Sequence, residues 1–207
     1  MLRTHLPEPR YLLTAALPVN PRSLENINLS AAGYVLDYLN LRAYDNTGPW
    51  SSAVGHPAQL LPSPFNSAAT LEPQLSCRLG VDYLVSRGFP RHKIVVGIST
   101  FARCFPGAAG LGCSFVKDKC TDLKYCELPD KWIVNAAIDE EVGAASFVDG
   151  REGSPVFLSF DVPFTVRQKA AYVKSMGLAG LFYWSELGDL HGPKSLVVAG
   201  QKGLDEL

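Results

Sequence analysis

Four short apolar runs punctuate the chain: YLLTAAL over Tyr11–Leu17, YLNLRAY over Tyr38–Tyr44, KIVVGIST over Lys93–Thr100 and GLFYW over Gly180–Trp184. Each is rich in β-branched, aromatic or leucine residues. The third and fourth are almost continuous in hydrophobicity, as strands buried on both faces are. Two stretches between the runs have helical spacing. Pro73–Arg87 puts Leu75, Leu79, Tyr83 and Leu84 on one face, with Gly88 as the stop. Thr165–Ser175 follows, with Thr165 as N-cap and Gly177 as the stop. Strand-helix-strand alternation predicts an α/β fold with a parallel sheet and crossover helices. The stretch from Cys104 to Phe160 breaks this rhythm. Its alternating pieces ASFVDG and PVFLSFD predict antiparallel strands, hence a small α+β insertion between the third and fourth core strands. Four βα units make an open sheet with exposed edges, against eight strands in a complete barrel. Periodicity leaves two readings open, a truncated barrel and a self-sufficient four-stranded domain, and the edges predict self-association.

Composition narrows the function classes. The 207 residues are 47% hydrophobic and 19% charged, with a formal net charge of -1. That balance offers no basic surface for a phosphate backbone, so nucleic acid is not an expected partner. No apolar run reaches the ~20 residues of a membrane helix. The opening MLRTHLPEPRYLL carries prolines where an export signal needs an unbroken apolar stretch. The cysteines Cys77, Cys104, Cys113, Cys120 and Cys126 lack the paired spacing of a zinc site, and the four histidines are scattered. No metal or cofactor is expected, and one or two disulfides in the Cys104–Cys126 stretch are.

The chemistry gathers at the strand ends, where α/β sites lie. The second run ends in Tyr44-Asp45 and leads to Trp50; the third runs into Phe101-Ala102-Arg103; the fourth ends in Trp184; Phe160-Asp161 precedes the last predicted helix. Aromatic faces stack on the apolar faces of sugar rings, while carboxylates and arginine bond hydroxyls and amides. Taken singly, each residue has an ordinary structural reading: a core tyrosine, a buried tryptophan, an aspartate capping a turn, a surface arginine.

The segments YLLTAALP, INLS, DYLNLRAYDNTGPW and GHPAQL, then SRGFPRHKIVVGISTFARCF, LKYCELP, SFDVP and KSMGLAGLFYWSELGD, resemble in order the family 18 glycoside hydrolases, fungal chitinases in particular. The resemblance implies that residues 1–207 are part of a family 18 catalytic domain. They would form the C-terminal half of a (β/α)8 TIM barrel, strands five to eight, with an α+β insertion at approximately 106–160 between the last two strands. It implies chitin or chitooligosaccharides as partners, an extracellular setting, and retaining hydrolysis of β-1,4-N-acetylglucosamine linkages in which the substrate's own N-acetyl group is the nucleophile. Tyr44 would then orient that group, and Asp45 would hold the same sugar. Trp184 would form the floor of the subsite, and Trp50 would stack on the neighbouring one. Arg103 would bond substrate from the rim, and Tyr125 and Asp161 would assist near the insertion.

Several departures from the family pattern bear on activity. The acidic motif DxxDxDxE, whose last residue is the family's catalytic acid, does not occur in these 207 residues. Arg42 stands where the family has Met, so a cation near the site needs a partner in Asp45 or Glu186. Phe101 and Phe160 replace tyrosines, and Ala102 replaces glycine. Three readings follow: a chitinase-type hydrolase whose general acid lies outside this sequence, a chitooligosaccharide-binding remnant, and a fragment that does not fold alone.

Overall fold

The computed structural model describes residues 2–63, 74–150 and 153–206. A short α1 (Leu2–His5) leads to β1 (Thr14–Pro18), α2 (Pro21–Leu24), α3 (Leu29–Val35) and β2 (Tyr38–Arg42). Then come α4 (Cys77–Ser86), β3 (Ile94–Ser99), β4 (Phe101–Pro106), β5 (Thr121–Lys124), α5 (Asp130–Val134) and β6 (Ala137–Asp139). The chain closes with β7 (Ala144–Asp149), β8 (Val156–Phe160), α6 (Pro163–Ser175), β9 (Gly180–Trp184) and α7 (Leu196–Asp205).

Two sheets share these strands. β1, β2, β3 and β9 form a parallel sheet in that spatial order, in register from Thr14↔Tyr38 through Leu39↔Ile94 to Ser99↔Trp184. It does not close into a barrel, and β1 and β9 are its two edges. The second sheet, ordered β5-β4-β8-β7-β6, is antiparallel throughout and lies between β3 and β9 in sequence. It contains both ASFVD and VFLSF as paired strands. It begins at Phe101, earlier than the 106–160 expectation, because the alternation of Phe101, Arg103 and Phe105 with Ala102 and Cys104 forms a strand of its own.

Helices cover one face of the parallel sheet, and the other is exposed along β1 and β2. Leu39, Leu41, Ile94, Val96 and Ile98 are fully buried; the first four pack in one cluster with Leu24, Leu29, Val81, Leu84 and Val173 from the helices. Strand alternation turns Tyr38, Asn40 and Arg42 to the opposite face, where Thr14, Ala16 and Arg42 are exposed. On β3 that face is buried at Gly97: a Cβ there would meet the Tyr44 and Phe182 rings at 2.7 and 2.6 Å, so the position takes glycine.

Several expectations shift. The first run becomes a strand only from Thr14, leaving Tyr11 and Leu12 exposed before it. α4 buries Cys77, Gly80, Val81 and Leu84, whereas Leu79 and Tyr83 are half-buried; Gly80 sets this rotation by letting the helix approach Val19. Pro73, the predicted start of that helix, lies outside the described residues. Thr165 is not the N-cap of α6. Pro163 opens the helix, as its fixed φ favours, and the Thr165 hydroxyl accepts from the Val162 N–H one turn in. Gly177 ends α6 at φ +64°, as expected. α7, capped by Ser195, follows β9 and was not foreseen. All five cysteines are free thiols. Cys104 packs in a cluster with Ala102 and Tyr125, and Cys120 packs against the cluster of Phe105.

Candidate functional site

The carboxyl ends of β2, β3 and β9 open onto a cavity of about 520 Å³ whose lining includes Asp45, Trp50, Thr100, Arg103, Asp122 and Trp184. Trp184 is the last residue of β9, and its carbonyl accepts from the Thr100 N–H at 3.0 Å. The Thr100 hydroxyl donates to the Ser185 carbonyl at 2.5 Å, tying the strand end to the start of β4. Trp184 and Trp50 are 61% and 58% exposed, unusual for so large an apolar ring. Neither tryptophan is a core residue; both rings are open at the cavity.

Four charged side chains of alternating sign cross the mouth. Arg42 donates from Nη2 to Asp45 Oδ2 at 2.6 Å. Arg103 donates from Nη2 to Asp45 Oδ1 at 3.0 Å and to Asp122 Oδ2 at 2.8 Å, and from Nε to Asp122 Oδ1 at 2.8 Å. Its Nη1 bonds the Thr47 carbonyl at 2.8 Å, and its guanidinium lies 5.2 Å from the Trp50 ring centre and 5.5 Å from that of Phe101. Arg103 was expected at the rim. It is 5% exposed, because β4 turns it inward opposite Asp122 in the β4–β5 register. Burial opposes its charge, but Asp122 and Asp45 outweigh that and push its pKa above the ordinary arginine value. Asp122 was not foreseen, since only the strand register brings it to Arg103.

Tyr44, two residues past β2, is buried edge-on against Phe101 and Phe182. Burial raises its pKa, with Arg42 working against the rise. Phe101 thus gives Tyr44 an apolar wall. Asp45 follows at φ +63°, the one non-glycine residue with positive φ among those described.

The other two predicted residues lie beneath the surface. Tyr125 is fully buried, its hydroxyl donating to the Lys194 carbonyl at 3.2 Å, and burial pushes its pKa up. Asp161 is 1% exposed and is held by Lys169 Nζ at 2.6 Å on both oxygens and by the Thr165 hydroxyl at 2.7 Å. The structure brings Asp45, Trp50, Arg103 and Trp184 to one cavity, with Tyr44 behind them; Tyr125 and Asp161 belong to the packing of the second sheet. Among the described residues no cluster of His, Cys, Asp and Glu is arranged for a metal ion, and no helix is long and apolar enough to cross a membrane.

A four-stranded parallel sheet with an antiparallel insert, and an aromatic and ion-paired mouth at its strand ends, defines an α/β domain built around that mouth. The Glycosyl hydrolases family 18 pattern matches residues 1–189, and the chain belongs to that family. It is 32% identical over 192 residues to Endochitinase 1 of Metarhizium robertsii, covering 90% of this chain and 44% of the relative. It is 29% identical over 199 residues to Chitinase 1 of Aphanocladium album, covering 94% and 46%. The chain thus spans about half the length of these curated relatives. Catalytic domain 2 of the Ostrinia furnacalis Group II chitinase superposes with a TM-score of 0.82 at 24% identity, over 100% of this chain and 58% of that one. A class V chitinase of Nicotiana tobaccum, solved in complex with NAG4, superposes at 0.78 with 27% identity, over 93% and 56%.

Proposed function

We propose that these residues form the C-terminal half of a (β/α)8 barrel, strands five to eight, with the second sheet as its insertion, and that the cavity at Trp184 binds chitooligosaccharide. The observation that carries the binding reading is two tryptophans, each more than half exposed, lining one cavity with Asp45 and Arg103. Aromatic platforms hold the apolar faces of pyranose rings, and the ion-paired groups between them offer acceptors and donors to hydroxyls and acetamides. Membership in family 18 and the complex of the tobacco enzyme with NAG4 support that ligand class. Trp184 serves as the floor of one subsite and Trp50 as the platform of the next. Tyr44 orients the N-acetyl group, and Asp45 and Arg103 hold polar substituents.

Hydrolysis of β-1,4-N-acetylglucosamine linkages is the reaction such a site serves, and these 207 residues do not carry it unaided. A glycosidase needs a carboxylic acid that gives a proton to the leaving oxygen. Here the cavity carboxylates are engaged as acceptors: Asp45 by Arg42 and Arg103, Asp122 by Arg103, and Glu127 by Lys124 at 3.3 Å. The motif DxxDxDxE is absent from this sequence. Loss of general-acid catalysis alone costs about 10²–10⁴-fold in rate.

Both statements are tested on the 207-residue chain. Titration with an N-acetylglucosamine oligomer is expected to give a saturable change in tryptophan fluorescence, and Trp184→Ala to weaken binding about tenfold, ~1.4 kcal/mol for one lost aromatic platform. No fluorescence change in a folded chain counts against the binding reading. A fluorogenic chitobioside is expected to be hydrolysed no faster than the blank, and clear turnover overturns the claim of inactivity. The sheet face exposed along β1 and β2 and the edges β1 and β9 support a second reading, that the chain self-associates through them.

A further inference from the structure

We infer that Arg42 is a positioning residue that competes with ligand for Asp45, and so sets both the affinity of the cavity and its response to salt. The inference rests on the sugar-binding reading above. The two oxygens of Asp45 are held in different ways. Oδ1 accepts from Arg103, whose side chain is 6% exposed and is fixed by two bonds to Asp122 and one to the Thr47 carbonyl. That partner cannot leave without abandoning a buried charge and three further bonds. Oδ2 accepts from Arg42, whose side chain is 45% exposed, at 2.6 Å. It also reaches Tyr44, by a side-chain hydrogen bond and with its guanidinium carbon 5.5 Å from the ring centre, and neither contact buries it. Arg103 is scaffold, whereas Arg42 is a releasable cover on the same carboxylate.

A sugar hydroxyl or acetamide N–H that bonds Asp45 therefore competes with Arg42 for Oδ2. An exposed ion pair is worth so little that competition changes affinity by about two- to fivefold rather than by orders of magnitude. The ligand is neutral and its own contacts are hardly screened by salt, whereas the Arg42–Asp45 attraction is. Added salt weakens the competitor, so affinity for a neutral oligosaccharide rises with ionic strength. A residue that merely supports the fold gives no such sign.

The experiment titrates tryptophan fluorescence of the wild-type chain, Arg42→Met and Arg42→Lys with the neutral tetramer of N-acetylglucosamine, at salt of about 0.01 M and about 0.3 M. Arg42→Met is expected to bind about two- to fivefold tighter than the wild type at low salt, with the gap closing at high salt; Arg42→Lys, which keeps the charge, is expected to follow the wild type. Equal or weaker binding by Arg42→Met, or a gap that salt leaves unchanged, overturns the assignment of Arg42 while the binding reading stands. Absence of binding by all three proteins overturns both. If Arg42→Met fails to fold, the wild-type salt series decides: affinity that rises with salt supports the competition, and affinity that is flat or falls overturns it.

Discussion

Asp45 sits at the junction of backbone strain and charge. A left-handed φ costs an L-residue roughly 1–2 kcal/mol, and aspartate is among the few side chains that tolerate it. Here the two arginines fix the carboxylate once the backbone has turned it toward them. His56 shows the opposite relation of charge to environment. It is 4% exposed, its Nδ1 lies 2.8 Å from the Ser159 hydroxyl, and burial holds its pKa down at about 4; Asp139 opposes that fall and Lys169 adds to it. In the unfolded chain the imidazole takes up a proton below its ordinary 6.5, whereas the folded chain stays neutral until about 4. Stability from this residue is thus complete above pH 6.5 and declines as pH falls toward 4, by roughly 3 kcal/mol in all. Urea unfolding across that range is expected to show this loss in the wild type and a shallower one in His56→Asn. Equal slopes for the two would refute the assignment.

Among the elements, α6 and β8 are joined by charge as well as by packing. Lys169 on α6 and Asp161 just after β8 form a pair with side chains 2% and 1% exposed. Removing one partner leaves the other charged and dry, so Lys169→Met is expected to cost about 3–5 kcal/mol. Replacing both, as Asp161→Leu with Lys169→Met, is expected to recover most of that loss, because the desolvation cost of the pair disappears with it. Thermal unfolding of the single and double variants checks this. A double variant no better than the single one would mean that Asp161 has a role beyond the pair. The burial also explains why the sequence pointed to Asp161 as a site residue: its place after a strand is that of a mouth residue, and only the packing of α6 turns it inward.

At the scale of the whole molecule, the parallel sheet is left open on one face along β1 and β2, and no further strand pairs with β1 or β9 among the described residues. Parallel sheets are ordinarily covered on both faces. Here the open face carries exposed Thr14 and Ala16 and the 40% exposed Tyr38, with Tyr11 and Leu12 exposed just before β1. Unpaired edges beside apolar surface are templates for pairing with another chain. Sedimentation velocity is expected to show a weight-average mass above that of one chain, rising with concentration. A single monomeric species at every concentration would refute self-association by this route.

Much of this architecture was legible as pattern. Near-continuous apolar runs marked β3 and β9, Gly88 and Gly177 marked the ends of α4 and α6, and alternation marked β7 and β8, because each of these signals is local. Tyr44, Asp45 and Trp184 stood out as candidates by their places at or just beyond strand ends, and the resemblance to family 18 added Trp50 and a role for each. The sequence by itself determined the alternation of strand and helix, the kind of side chains at the strand ends and the absence of an acidic motif. Only the tertiary structure decided which of those side chains meet. The β4–β5 register joined Arg103 to Asp122, and packing buried Tyr125 and Asp161 while leaving both tryptophans of the cavity open. Periodicity says which way a residue points along its own element, but pairing and burial depend on surfaces contributed by residues distant in the chain.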